Sequence, residues 1–193
     1  MKRKNFDKIV TAVGFGLAVF LFVAAGLLNW GAGFAKDSVA SQLENQNISF
    51  PATAEEMPEA TRDQIAKWAG MKVTTGEMAR DYSDKYIWEH MKGAAIGAVG
   101  KPATYSEVSG MYMGLVRGGS TDTAQIAKLG DLRQTLFMGN TLRGMLLEAY
   151  AFGTLGVIAG YATIAAFVGG IVMLLLSIAG LLHIRRTPDS ATI

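Results

Sequence analysis

The sequence contains no cysteine. A domain outside the cytoplasm built from it folds without disulfides, so a helical core must hold it. The same absence removes a thiolate nucleophile, a lipoprotein anchor and a cysteine-ligated iron–sulfur cluster. Histidine is nearly as scarce, with only His90 and His183. Proline occurs four times, and none lies between Asp122 and Pro188, so no ring breaks a helix there. Two long stretches also lack charge. Residues 9–35 carry none, and residues 149–184 carry none when His183 is neutral. A bilayer core is roughly 30 Å thick and needs about 20 apolar helical residues to cross, so both stretches suffice. No run alternates apolar and polar residues for long enough to read as a strand.

These patterns predict an all-α membrane protein, with two transmembrane helices flanking a helical extracytoplasmic domain. The divisions are a cytoplasmic basic end and first span over 1–35, a helical domain over 36–148, and a second, long span with its cytoplasmic end over 149–193. Lys2, Arg3, Lys4 and Lys8 precede the first span, and Arg185 and Arg186 follow the second. Short Lys/Arg-rich ends stay inside, so both termini are expected in the cytoplasm and the middle in the periplasm of a plasma membrane. The middle is mildly acidic, with 11 Lys and Arg against 14 Asp and Glu over 37–148. That balance speaks against nucleic-acid binding, which wants a clustered basic face. Gly33-Phe34-Ala35 resembles a signal-peptide cleavage site. The apolar run before it exceeds a secretory core of roughly 7–15 residues, so it reads as an uncleaved anchor.

In the middle, residues 36–46 continue the first helix as a polar stalk, and 47–59 form a loop around Pro51 and Pro58. Three capping pairs mark helix starts: Thr61 with Gln64, Thr74 with Glu77, and Thr104 with Glu107. The predicted helices cover 62–69, 77–91, 105–116 and a long one from near Asp122. In the second of these, Met78, Tyr82, Tyr86 and His90 fall four apart. This stripe reads as core, with a docking or ligand groove as the alternative. Asp81–Lys85 and Lys85–Glu89 have the spacing of surface pairs. Gly118-Gly119-Ser120-Thr121 reads as a turn into an N-cap. The last helix runs without a clear stop into the second span, with bends expected at Gly139-Asn140 and at 153–156.

Chemistry-bearing constellations are few. A membrane span separates the two histidines, so the chain offers no zinc, iron or haem ligand set and no cofactor site. No G-x-S-x-G context accompanies His90. Neither span has a mid-membrane charge for a proton or ion path. The second apolar stretch is longer than a bilayer core requires, and residues 149–160 are expected to extend roughly 15–18 Å beyond it at 1.5 Å per residue. Gly156 and Gly160 form G-x-x-x-G, and Ala166 and Gly170 continue the small-residue face, which lets helices approach closely in lipid. The candidate partner interface is therefore Gly156, Gly160, Ala166 and Gly170 as packing positions, with Tyr150, Phe152 and Tyr161 as anchors. Packing between the two spans is an equal reading of the small-residue face.

Residues 104–110 (TYSEVSG) and 132–156 (LRQTLFMGNTLRGMLLEAYAFGTLG) resemble a family of two-span actinobacterial membrane proteins, often labelled aromatic ring-opening dioxygenases. The resemblance extends from the first span to the last. Size and layout also resemble a small accessory subunit of the actinobacterial cytochrome bcc–cytochrome oxidase supercomplex. The resemblance implies a non-catalytic accessory subunit whose partners are larger integral membrane subunits, respiratory cytochromes among them, in a lipid bilayer. The dioxygenase label requires two histidines and a carboxylate on one iron, which these two histidines do not supply. The alternative is a periplasmic, membrane-anchored binding or assembly module using the 78–91 stripe as its groove. An enzyme built on carboxylates is the third reading.

Overall fold

The computed structural model describes residues 2–188 and 190–192. Among them there are helices, two isolated bridges and no strand. Helix α1 spans Arg3–Gln46. A loop with 3-10 turns at Ala54–Glu56 and Glu59–Thr61 leads to α2 (Arg62–Ile65) and a third such turn at Ala66–Trp68. Helix α3 (Gly76–Asp81) runs through a π-turn (Tyr82–Ile87) into α4 (Trp88–Val99). Helix α5 covers Tyr105–Arg117, and α6 covers Thr123–Arg186. The predicted stalk is part of α1, which ends where Asn47 turns to a left-handed φ of 50°. The bends expected in α6 do not interrupt it: Gly139 and Gly153 lie inside one 64-residue helix.

The chain divides into two compact units, Met1–Ala35 with Leu155–Ile193, and Lys36–Thr154. Both long helices contribute to each unit.

The first unit is an antiparallel helix pair held by reciprocal hydroxyl-over-glycine contacts. A Cβ added at Gly14 would lie 2.4 Å from Ser177 Oγ, and one at Gly180 would lie 2.5 Å from Thr11 Oγ1. Thr11 and Ser177 are both buried. Small residues permit this approach, and the Ser177 hydroxyl donates to the Met173 carbonyl at 2.7 Å. Further along, the Phe22 ring lies over Gly170 and meets Phe167 edge-on at 5.7 Å. Each step along α1 is matched by one step back along α6, so Ala35 falls level with about Gly156.

The second unit has two apolar clusters joined by α6. The first gathers Val39 and Leu43 of α1, Phe50, Ile65, Val73, Met78 and Ala79 against Leu146 and Ala149 of α6. The second packs Met91 and Ala95 of α4 and Val108 of α5 against Leu129, Leu132 and Leu136 of α6. Of the three predicted caps, Thr104 forms a complete box with Glu107. Its backbone N–H, the first of the donors involved, holds the Glu107 carboxyl below the usual carboxylate range. The other two are corrected. Thr75, not Thr74, caps α3 by accepting from the Met78 N–H at 3.3 Å. Thr61 caps nothing and instead donates to the Lys85 carbonyl. The turn at 118–121 ends as expected in a cap, in which Asp122 Oδ1 accepts from the Gln125 N–H at 2.9 Å.

The π-turn explains the four-residue spacing of the aromatic stripe. On an α-helix residues four apart drift by about 40° per step, so three steps lose the face. A π-turn is wider and absorbs that drift. Tyr82 stands 4.8 Å from Tyr86, and Tyr86 stands 4.3 Å from His90, ring centre to ring centre. Side chains reinforce this turn, whose Ser83 carbonyl also accepts from the Trp88 N–H. Arg143 Nε donates to the Ser83 carbonyl at 3.2 Å while its Nη2 reaches Asp84 Oδ1 at 3.0 Å, and its guanidinium lies over Trp88. Replacing Arg143 with alanine is expected to cost about 2 kcal/mol, the scale of a partly buried charged hydrogen bond. Thermal unfolding of the full chain in detergent, followed by circular dichroism, checks this. An unchanged midpoint would mean the π-turn needs no such clamp.

Candidate partner interface

Helix α6 turns one face to the core of the second unit through Leu129, Leu132, Leu136, Leu146 and Ala149. The rest of such a helix in a polar domain is ordinarily charged. Here a strip beside the core face carries Met138, Leu142, Met145 and Phe152, spaced four, three and seven residues apart. Each is about half exposed, from 45% at Leu142 to 56% at Met145. Phe137 flanks them, its ring 5.9 Å from Tyr105. Over 134–152 the one exposed charge is Glu148, since Arg143 is drawn inward to Asp84. An exposed apolar stripe with a single charge beside it is a candidate interaction surface. Sequence reading placed the interface further along. The signal was present as apolar residues on both faces of one amphipathic stretch.

The seven predicted interface residues divide. In the second unit, Tyr150 is half-buried and engaged internally. Its ring lies 5.0 Å from the Arg80 guanidinium, and its hydroxyl accepts from Arg80 Nη1 at 3.4 Å. That hydrogen bond, opposed by burial and helped by Asp81, raises the Arg80 pKa above the usual arginine value. Phe152 is exposed. In the helix pair, Gly170 is covered by Phe22, Gly156 is buried, and Ala166 is half-buried. A Cβ at Gly160 would meet open space, and Tyr161 is 72% exposed. The small-residue face thus serves the chain's own helix pair at Gly170, while Phe152, Gly160 and Tyr161 stay open. Trp30 and Phe34 of α1 stack at 5.8 Å on the same unit's surface.

The 78–91 stripe is largely occupied by packing. Met78 is buried, Tyr82 meets Phe50 edge-on at 5.1 Å, and Tyr82 and Tyr86 both rest on the first apolar cluster. Burial raises the Tyr82 pKa. His90 is exposed, with Nδ1 2.9 Å from the Tyr86 carbonyl. The largest departure from the sequence reading is Asp81. Expected in a surface pair, it is only 1% exposed. Its Oδ2 accepts from Trp68 Nε1 at 2.9 Å, and its Oδ1 meets Lys85 Nζ at 2.9 Å and Arg80 Nη2 at 3.5 Å. Burial is the largest influence and works against the charge. The Trp68 and Lys85 hydrogen bonds and the nearby cations outweigh it and hold the carboxyl below its ordinary pKa. Glu89 pairs with Lys92 at 2.6 Å rather than with the expected Lys85. Both oxygens of Asp81 are committed to donors, so its role is to join α3 to the turn at Trp68. His90 and His183 belong to different units, and among the described residues no three His, Asp or Glu side chains are grouped to hold a metal.

Comparison with protein-family models, with curated proteins and with solved structures returned no match. The class that can be stated is an all-helical protein with two helices long and apolar enough to cross a membrane.

Proposed function

We propose that this chain is a membrane-anchored, non-catalytic accessory subunit that packs against larger integral membrane subunits of a respiratory complex of the cytochrome bcc–oxidase type. The membrane part of the reading rests on the helix pair. Only 22% and 11% of the most apolar windows of α1 and α6 are buried, whereas the core helix of a soluble protein is mostly buried. Residues 9–35 lie level with about 156–182, so the apolar length of α1 runs beside an equal length of α6. At 1.5 Å per residue each measures about 40 Å, which matches a bilayer core with its headgroup layers. Trp30, Phe34 and Tyr161 then form an aromatic belt at the outer interface, as spanning helices favour. This register also shortens the apolar overhang, because 156–160 runs beside the apolar part of α1 and only about 149–155 lies beyond that part.

The observation that carries the accessory role is the stripe Met138, Leu142, Met145 and Phe152. It belongs to the periplasmic domain in this topology, stays about half exposed among the described residues, and is too apolar to face water alone. An integral membrane subunit with residues on the periplasmic side would supply a cover. The respiratory setting comes from the resemblance of residues 104–110 and 132–156.

A tagged full chain purified in mild detergent is expected to retain haem absorbance and large membrane subunits identifiable by mass spectrometry. Recovery as a free monomer overturns the proposal. Converting Leu142 and Met145 together to arginine is expected to lower partner retention at least about tenfold, because two charges would be buried against an apolar surface. The variant should keep its helical circular dichroism, since both side chains point away from the core.

A further inference from the structure

The first unit brings the two ends of the chain together at one pole. The Arg3 N–H donates to the Ala191 carbonyl at 3.1 Å, and Lys2 pairs with Thr192 in an isolated antiparallel bridge. This gathers Lys2, Arg3, Lys4 and Lys8 from one end with Arg185 and Arg186 from the other. Among the described residues one acid stands against them, Asp7. Asp7 lies 4.0 Å from Arg3 Nε and 3.8 Å from His183 Nε2, so it is already engaged. Its Oδ2 is buried and without a hydrogen-bond donor, so it does not reach out to neutralise Lys2, Lys8, Arg185 or Arg186. The apolar stretches of α1 and α6 begin and end beside this pole, at Ile9 and Leu182, so the cations occupy the turn immediately outside the apolar length.

We infer that this pole is a binding site for anionic phospholipid headgroups, assembled from both ends of the chain. The inference rests on the membrane-spanning reading above. A basic cluster beside a spanning helix lies within the headgroup layer, where each Lys or Arg contributes about 1 kcal/mol toward an anionic surface, equivalent to roughly fivefold in affinity. Phosphate esters are the anions present at that depth, and lysine and arginine are the side chains that bind them, arginine through paired N–H donors. Basic ends acting only as topology signals need no tertiary contact between them. Here the Arg3–Ala191 and Lys2–Thr192 contacts hold the two sets side by side, which makes a two-sided site for a phosphodiester.

The test is native mass spectrometry of the full chain in neutral detergent, titrated with phosphatidylglycerol and, separately, with phosphatidylcholine. The wild-type chain is expected to retain phosphatidylglycerol preferentially. R185Q/R186Q is expected to weaken that retention by about 25-fold, two residues at roughly fivefold each. K2Q/K8Q is expected to weaken it comparably, because the site needs both ends. K101Q/R117Q, at exposed positions of the other unit, should leave it unchanged. Equal retention of the two lipids, or insensitivity to either pair of substitutions, overturns the inference. Displacement of phosphatidylglycerol by millimolar inorganic phosphate would show a bare anion site instead and also overturns it. Circular dichroism of each variant separates lost binding from lost fold. If the wild-type chain stays monomeric and soluble without detergent, the membrane reading itself fails, an outcome distinct from indifference to headgroup charge.

Discussion

Replacing Asp81 with alanine is expected to destabilise the second unit by about 3 kcal/mol, the low end of the cost of breaking a buried ion pair. The loss removes the acceptor of the Trp68 N–H and leaves Lys85 and Arg80 without their anion. The value sits at the low end because Lys67, Arg80 and Lys85 keep solvent access and turn to water when the carboxylate is gone. Asp81→Asn keeps an acceptor for Trp68 and is expected to cost about half as much. The sign of the pH dependence follows from the lowered pKa. A depressed carboxyl contributes stability that is complete above its unfolded value near 4 and is lost as pH falls through the folded value. The gap in melting temperature between wild type and Asp81→Asn should therefore be flat from pH 5 to 8 and should narrow below about pH 4. A gap that widens on acidification would mean that burial, not pairing, governs this carboxyl.

The second large effect is expected at Gly76. A Cβ there would lie 3.1 Å from both the Ala149 carbonyl oxygen and the Tyr150 Cα, and one at Gly153 would lie 3.3 Å from the Gly76 Cα. Both obstacles are backbone, which cannot rotate aside. Gly76→Val is expected to cost about 3 kcal/mol, the upper range of overpacking, by separating the start of α3 from α6. It should also loosen the Arg80–Tyr150 contact on the following turn. Gly139 offers the internal contrast. A Cβ there would lie 2.5 Å from Met91 Sδ and 2.8 Å from its Cγ, a flexible side chain rather than backbone. Gly139→Ala is expected to cost about 1 kcal/mol, the low end of overpacking, as the thioether can repack. Thermal melts of the two variants in the same detergent check the ranking. Equal losses would show that the α3–α6 crossing can relax.

The two effects point to the same segment. Gly76, Arg80 and Asp81 lie within two turns of α3, and they tie that helix to α6 and to the Trp68 turn. The apolar stripe proposed for the partner runs along α6 beside this junction. A variant that disturbs Gly76 therefore tests the fold, and one that changes Leu142 and Met145 tests the surface. A partner lost on the second kind of change, with the melt unaltered, separates recognition from stability.

What the sequence determined by itself follows from local and periodic rules. Absence of charge over 9–35 and 149–184, together with absence of proline from 122 to 188, was enough for two long apolar helices. The Thr104–Glu107 spacing was enough for a capping box. Each depends on residues within one or two turns of each other. The tertiary structure decided the rest, because it depends on residues far apart in sequence. Asp81 looked like half of a surface pair until Trp68, 13 residues earlier, closed over it. Thr61 looked like a cap until the widened turn at Tyr82–Ile87 offered it the Lys85 carbonyl, 24 residues on. Gly170 could pack in either of two ways until α1 placed Phe22 upon it. The stripe at 138–152 became a candidate interface only when the fold showed which face of α6 the core had used. A helix that is apolar on both faces does not reveal from its own sequence which face its own chain will cover, because burial is settled by what packs against it.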